Sequence, residues 1–399
     1  MSSPKKPAAI ALGTTLIGLA LFMNERTLAD ALSPDGRFES VAIRGAILTL
    51  QLALVVLGIT AMKQWRRIDW SGIAWTLSTV LTLLVALEVV LRLGFRDQQP
   101  TRRISGELGW ETRPGLVLDH EPRGFGPVHM TTDERGFRRF DDPDGQGTRI
   151  FVLGDSFTEA SQVSDGDAYY DVIAAGTTAQ VFAHGTGGYG SLQSYMILDR
   201  YFDEIRPDVV VWQFSPNDVS DNSYAAESGS LGNRMTRPYW IDGEIQHRFP
   251  SDNLLIRHSL AVRWLATKGA IAMRRLSGGG MNAKLRRRPD LVTDALATTD
   301  EIIGLMQNRV GAVPIVAFEV AHEQWLGSGL SDVVHLRGIH MVKGVTDSIE
   351  AARSRGIIVD GAPYDTHWSS GGHQIAGQMV IATLEELDLV QPVSPTTDR

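Results

Sequence analysis

The chain has 399 residues, a formal net charge of −8 and no cysteine. The lack of thiols excludes a cysteine nucleophile, thiolate metal sites and disulfide staples, and the acidic balance argues against a nucleic-acid partner. Length alone suggests more than one folded unit.

In chain order the first element is an apolar region over residues 1–95, with helices expected at 7–23, 41–62 and 71–93. The second and third have the roughly 20 residues a helix needs to cross a bilayer core. The first is shorter and follows Lys5 and Lys6. It reads as a retained helix, the alternative being a signal peptide cleaved near "ADA" (Ala29–Ala31). Lys5, Lys6 and the link "KQWRR" (Lys63–Arg67) place those ends in the cytoplasm by the positive-inside rule. Everything beyond the third run is then expected on the periplasmic or extracytoplasmic side of an inner (plasma) membrane. Arg92, Arg96, Arg102 and Arg103 pull the other way. Two charges sit within apolar runs, Arg44 and Glu88. They are expected to meet, or Glu88 to pair with Arg92 one turn along, unless Arg44 snorkels to the interface.

Residues 96–147 are polar and broken by proline, a linker and lead-in. Beyond them, apolar β-branched runs predict strands at Thr148–Leu153, Gln180–Ala183, Asp208–Phe214, Val313–Phe318 and Gly356–Val359. Helix-length segments separate them, which indicates a five-stranded parallel sheet covered on both faces, a three-layer α/β/α domain over 148–390. An insertion is expected at 220–308 and a flexible tail at 391–399. The basic cluster Arg274, Arg275, Lys284, Arg286, Arg287 and Arg288 reads as a solvated face.

The segments directly after the strands carry the chemistry, since ligands of such sheets sit beyond the carboxyl ends. The first strand delivers Gly154-Asp155-Ser156, the second "AHGTGGYG" (Ala183–Gly190), the third "SPNDVSDN" (Ser215–Asn222) and the fifth "PYDTHWSSGGHQIAG" (Pro363–Gly377). Acyl transfer needs a nucleophile, a base for its proton and donors for the developing oxyanion. Ser156 and His367 fit the first two roles, with Asp365 orienting the imidazole. The amides of Ser156 and Gly188 and the side-chain amide of Asn217 are candidate oxyanion donors. Each residue also has a plain structural reading: Asp155 and Ser156 both suit a helix N-cap, and Asn217-Asp218 suits a turn. Asp155 is read as bonding loop amides, and His373 as a helix residue rather than the base. The histidines show no metal-ligand spacing and no phosphate-cradling loop is present, so neither a metal nor a cofactor is expected.

At these residues the chain resembles the SGNH (GDSL-like) hydrolases. "GDSFT" is similar to that family's first block, Gly188 aligns with the second, "PND" with the third through Asn217, and His367 with its aspartate to the fifth. The likeness spans roughly Thr148–Leu387, and the preamble "TTDERGFRR" (Thr131–Arg139) resembles a stretch of membrane-attached bacterial members. Three positions depart. Ala183 stands where Asn is common, Ser215 replaces the third-block glycine, and "DTH" spaces Asp and His by two rather than three. The shorter spacing resembles envelope-polysaccharide acetyltransferase-like members; if Asp365 cannot reach the ring, a backbone carbonyl would orient it. The resemblance implies a flavodoxin-like SGNH domain. It also implies a serine esterase acting on an acylated envelope glycan, lipid or other ester through an acyl-serine. An O-acyltransferase with the same residues, drawing on a separate membrane acyl donor, is the rival reading, and a catalytically silent assembly or binding module the third.

Overall fold

The computed structural model describes residues 5–22, 24–25, 41–63, 78–79, 81–82, 84–89, 92, 101–228, 235–251, 253–262, 266, 285–322, 326 and 329–393. They divide into two compact units, Met1–Gln99 with Asn253–Gly269, and Pro100–Asp252 with Ala270–Arg399.

In the first unit two apolar runs are helical, α1 (Lys5–Phe22) and α2 (Val41–Lys63). Small residues let them approach: a Cβ on Gly13 would lie 2.6 Å from the Gly58 carbonyl oxygen, and one on Gly58 2.8 Å from that of Gly13. Gln51 donates to the Ala20 carbonyl at 3.0 Å across the same pair. Leu48, Leu52 and Val56, four apart on α2, remain exposed. Among the described residues no helix is long and apolar enough to cross a membrane. The three expected spans are therefore not supported. α1 has 18 residues, two of them lysines, about 27 Å against a hydrocarbon core of about 30 Å. α2 carries Arg44 and Gln51, and most of 71–93 lies outside the described residues, as do Arg274, Arg275 and Lys284. Arg44 does not meet Glu88; it pairs with Glu25 at 2.7 Å. Glu88 pairs with Arg92 at 2.8 Å, the second of the expected arrangements. Its carboxylate also accepts from the Ser259 hydroxyl and the Leu260 and Ala261 amides, closing the start of a helical turn drawn from the insertion.

The second unit opens with two antiparallel hairpins, β1 (Arg102–Ser105) with β2 (Gly109–Thr112) and β3 (Val117–His120) with β4 (Val128–Thr131), then β5 (Arg139–Phe140). The expected linker and lead-in is thus largely folded, and Leu108, Trp110 and Phe137 enter the core. Next come β6 (Arg149–Gly154), α3 (Ser156–Glu159), α4 (Tyr169–Gly176), β7 (Gln180–Gly185), α5 (Ser191–Ile205), β8 (Val209–Phe214), α6 (Asn217–Asn222), α7 (Tyr224–Glu227) and the hairpin β9 (Arg237–Ile241) with β10 (Glu244–Arg248). The chain closes with α8 (Pro289–Val310), β11 (Ile315–Glu319), α9 (Gly329–Leu336), β12 (His340–Met341), α10 (Val345–Ser354) and α11 (Ser370–Glu386).

Six strands form the central sheet in the order β12-β11-β8-β6-β7-β5, parallel except for β5, which runs antiparallel to β7. Alternation along the inner strands feeds two cores. Phe151, Leu153, Val210, Trp212 and Phe214 face one layer with α5 and α8, while Ile150, Val152, Val209 and Val211 face α4, α10 and α11. Each such buried side chain contributes roughly 1.5–3 kcal/mol, so both strand faces must be apolar and the runs read as continuous. α8, all but the last two residues of which fell within the expected insertion, is instead a layer helix that buries Ala295, Ile302, Ile303 and Met306. Proline at its first position and Gly311 (φ +60°) after its last residue punctuate it.

The expected five-stranded, all-parallel sheet is corrected in two places. Gly356–Val359 is not a strand: its carbonyls at Ile358 and Val359 accept from the hydroxyl and amide of Ser369, so a turn takes the groups a ladder would need. The edge beside β11 is filled instead by the two-residue β12, and β5 supplies an antiparallel edge from the lead-in. Both are too short to leave a strand signal in the sequence.

Candidate active site

Ser156 stands immediately beyond the central strand β6. The turn requires a glycine before it, because a Cβ on Gly154 would lie 2.2 Å from both Gln213 Oε1 and Thr158 Oγ1. The Gln213 side chain accepts from the Asp155 amide (3.1 Å) and the Thr158 hydroxyl (2.9 Å), tying α3 to β8. Asp155 is the cap of α3, accepting from the Phe157 amide, and also accepts from the Ser215 hydroxyl at 2.6 Å. With capping done by Asp155, the Ser156 hydroxyl is left to other work.

That hydroxyl lies 2.8 Å from His367 Nε2 across 211 positions of sequence. The other ring nitrogen is 2.6 Å from Asp365 Oδ1, and the same oxygen accepts the His367 backbone amide at 3.0 Å. The two-residue Asp–His spacing therefore reaches the ring without a substitute. Burial works to raise the Asp365 pKa, but hydrogen bonds from the His367 ring and amide and the Thr366 amide outweigh it and hold the group below the ordinary range. An ionised Asp365 can only accept, so Nδ1 carries a proton and Nε2 presents its lone pair to Ser156. Burial lowers the His367 pKa, yet the Asp365 hydrogen bond and the charges of Asp365, Asp155 and Glu159 prevail and raise it. Phe157 packs on this imidazole and on Trp368 with centroids 5.0 and 4.9 Å away.

Gly188 lies in the loop after β7 with φ +79°, a conformation that favours glycine, and an added Cβ would sit 3.4 Å from the Trp110 ring. Neither its amide nor that of Ser156 donates to an acceptor among the described residues. The loop is held from several sides. Trp110 donates to the Gly187 carbonyl (3.1 Å) and Thr112 to that of Gly185 (2.9 Å). Buried Glu159 accepts the Gly187 amide at 3.0 Å while paired to Arg102 at 3.0 Å. Arg237 donates to the Gly188 carbonyl at 2.6 Å.

Asn217 opens α6 directly after β8 and is exposed. Ser215, which replaces the expected glycine, places its hydroxyl 2.7 Å from Asn217 Oδ1, and the Asn217 amide donates to Asp221 at 3.1 Å. One N–H of that amide remains for a ligand. Asp218 is not at the surface; burial, then the charges of Asp155 and Asp221, push its pKa well above the carboxylate range. His373 sits in α11, accepting the Tyr169 amide, and burial lowers its pKa to about 3. Among the described residues no cluster of three or more His, Cys, Asp or Glu could hold a metal.

Glu159, Arg102, Trp110, Thr112, Gln213 and Arg237 escaped the sequence reading. Trp110 and Arg237 have their loop partners 77 and 49 residues away, so no local pattern marks them. Arg138 had a weak signal in the preamble. It is buried and spans the carbonyls of Glu159, Ala160 and Val163 beyond α3, ending on Asp165 at 3.0 Å.

No protein-family model matches the chain, and no curated protein matches it. Among solved structures, the lipase/acylhydrolase from Enterococcus faecalis superposes over 62% of this chain and 99% of that one, at 13% identity and a TM-score of 0.35. The Clostridium thermocellum family 3 carbohydrate esterase covers 61% of this chain and 97% of its own, at 12% identity and a TM-score of 0.34. An acetyl xylan esterase, AlAXEase, covers 59% and 99% at 10% identity and a TM-score of 0.33. Likenesses this distant assign no activity to the chain.

Proposed function

We propose that this chain is a serine esterase of the SGNH type. The observation that carries the reading is the unbroken relay Ser156–His367–Asp365, at 2.8 and 2.6 Å, beside two undonated amides. Ser156 Oγ attacks the ester carbonyl as its proton passes to His367 Nε2, and the imidazolium forms against the ionised Asp365. The oxyanion takes the amides of Ser156 and Gly188 and the free N–H of Asn217. Collapse expels the alcohol, which leaves with the proton from Nε2, and Ser156 remains acylated. Water then gives its proton to His367 as it attacks, the acid departs, and the hydroxyl is restored. Every step balances without a metal or cofactor.

The acyl group in this reading is acetyl or another small acyl, and the ester is borne by an envelope glycan or lipid. The first unit tethers the enzyme to a bilayer, with the catalytic unit on the extracytoplasmic side. The apolar runs, the lysines and arginines flanking them and the exposed Leu48, Leu52 and Val56 support that tether.

A fluorophosphonate probe tests the chemistry. The reading expects one adduct, on Ser156, abolished in Ser156→Ala, together with acetate release from acetylated glycan. A folded chain that takes no adduct would sink it. Acetylated acceptor formed faster than free acetate would turn the reading toward transfer, with a membrane acyl donor as partner. Retention in the pellet after alkaline carbonate tests the tether; release into the supernatant would remove it.

A further inference from the structure

One buried guanidinium holds both the loop that carries the Gly188 amide and the carboxylate that holds the Asn217 side chain. Arg237, at the start of β9, is 1% exposed. Its Nη2 donates to the Gly188 carbonyl at 2.6 Å and to Gln193 Oε1 at 2.8 Å. Its Nη1 lies 3.2 Å from both Asp221 Oδ1 and Glu227 Oε2. Asp221 is the carboxylate that accepts the Asn217 amide, and Gln193 Oε1 also accepts the Gly190 amide, two residues beyond Gly188. The ring of Trp110, which bonds the Gly187 carbonyl, stacks 5.2 Å from the same guanidinium.

Resting on the esterase reading, we infer that Arg237 is a positioning residue that sets the Gly188 amide and the Asn217 side chain together as one oxyanion site. The geometry explains why an arginine is needed. The Gly188 N–H shares its peptide plane with the Gly187 carbonyl, which Trp110 holds, and Arg237 steadies that amide from two sides, by stacking on the Trp110 ring and by holding the following peptide through the Gly188 carbonyl. Asn217 is fixed by Asp221. Holding both from one point takes the two coplanar Nη groups of a guanidinium, a fork that lysine lacks. The carboxylates make the fork tolerable in a buried place. Burial alone would lower the Arg237 pKa, and the charges of Asp221 and Glu227 instead raise it. In turn burial raises the Asp221 pKa and the Arg237 charge works against that rise, favouring the carboxylate that accepts from Asn217.

The test uses the full chain with p-nitrophenyl acetate and the fluorophosphonate probe. Arg237→Met is expected to cut kcat about 100- to 1000-fold, the range for loss of an oxyanion donor, and to leave KM within about 3-fold, as for an interaction made only in the transition state. Arg237→Met also strands two buried carboxylates, so it will lower Tm. The triple variant Arg237→Met, Asp221→Asn, Glu227→Gln removes those charges and is expected to recover Tm but not kcat. Arg237→Lys, which keeps the charge and loses the fork, is expected to fall between wild type and Arg237→Met. Wild-type kcat in the triple variant, or a loss in Arg237→Met that merely tracks its folded fraction, would overturn the inference and leave the esterase reading in place. A wild-type chain that neither labels nor turns over would overturn both.

Discussion

The orientation of His367 gives a prediction that depends on one oxygen atom. Asp365 Oδ1 accepts both the ring Nδ1–H at 2.6 Å and the backbone amide of the same histidine at 3.0 Å. In Asp365→Asn the carboxamide can turn its carbonyl to those two donors, and the ring keeps the tautomer that leaves Nε2 open to Ser156. The charge is lost. A hydrogen bond to a charged group is worth about 1.5–3 kcal/mol and a neutral one about 0.5–1.5, a difference of about 1–1.5 kcal/mol. At 1.36 kcal/mol per decade that is roughly a 5- to 15-fold fall in kcat/KM. Asp365→Ala removes the acceptor altogether, which costs the full charged bond, about 10- to 150-fold, and releases the tautomer in addition. The acid limb of kcat/KM adds a second readout. His367 must be neutral to act as base, so activity is lost as pH falls through its raised pKa and is complete above it. Replacing Asp365 by Asn removes the main raising influence and leaves burial, so the limb moves toward acid. The assay is the pH profile of p-nitrophenyl acetate hydrolysis for wild type and both variants, with Tm as a check on folding. Equal losses in the Asn and Ala variants at unchanged Tm, or an acid limb that does not move, would refute this account of the dyad.

The surroundings of the site give three further expected outcomes. Gly188→Ala puts a Cβ at φ +79° and 3.4 Å from Trp110; the strain is about 1–2 kcal/mol, and kcat should fall at least 10-fold with Tm only slightly lower, whereas unchanged kcat would exclude the Gly188 amide from the reaction. Glu159 is buried, and although burial raises its pKa, Arg102 and the Gly187 amide lower it below the ordinary carboxylate value. Its stabilisation is therefore present above the unfolded pKa and lost as pH falls through the folded one. Because Arg102 is 23% exposed, Glu159→Gln should cost about 2–3 kcal/mol at pH 7, below the range for a fully buried pair, measured by urea unfolding; a cost within error of zero would rule out the pairing as a stabiliser. His184 and His373 are held neutral by burial, each with a pKa lowered to about 3. The unfolded chain takes up protons at both below about pH 6.5, so stability should decline from there toward pH 3. His373→Gln should flatten that decline, and an identical slope would count against a buried neutral imidazole.

Much of this site is legible before folding because its parts stand at strand ends. Continuous apolar runs such as "RIFVL" and "VVVWQF", short and rich in β-branched and aromatic residues, read as strands buried on both faces, and residues placed directly after them fall on one rim. Ser156, Gly188 and Asn217 are found that way; the Asp365–His367 pair follows no strand and is found by its likeness to the fifth block. The edges of the sheet are not. β5 and β12 have two residues each, too short for any period, and Gly356–Val359 has a strand's composition but gives its carbonyls to Ser369.

The amino-acid order by itself determines which groups are offered: a hydroxyl after a glycine turn, an imidazole two residues past a carboxylate, and no thiol anywhere. Tertiary structure alone decides their states. It makes Asp155 rather than Ser156 the helix cap, brings His367 across 211 positions to within 2.8 Å, and turns an expected linker into the wall that holds the Gly188 loop through Trp110 and Thr112. The reason is physical. Apolar patterning acts locally and can be read along the chain, whereas a hydrogen bond between distant residues depends on where the packed core happens to bring them.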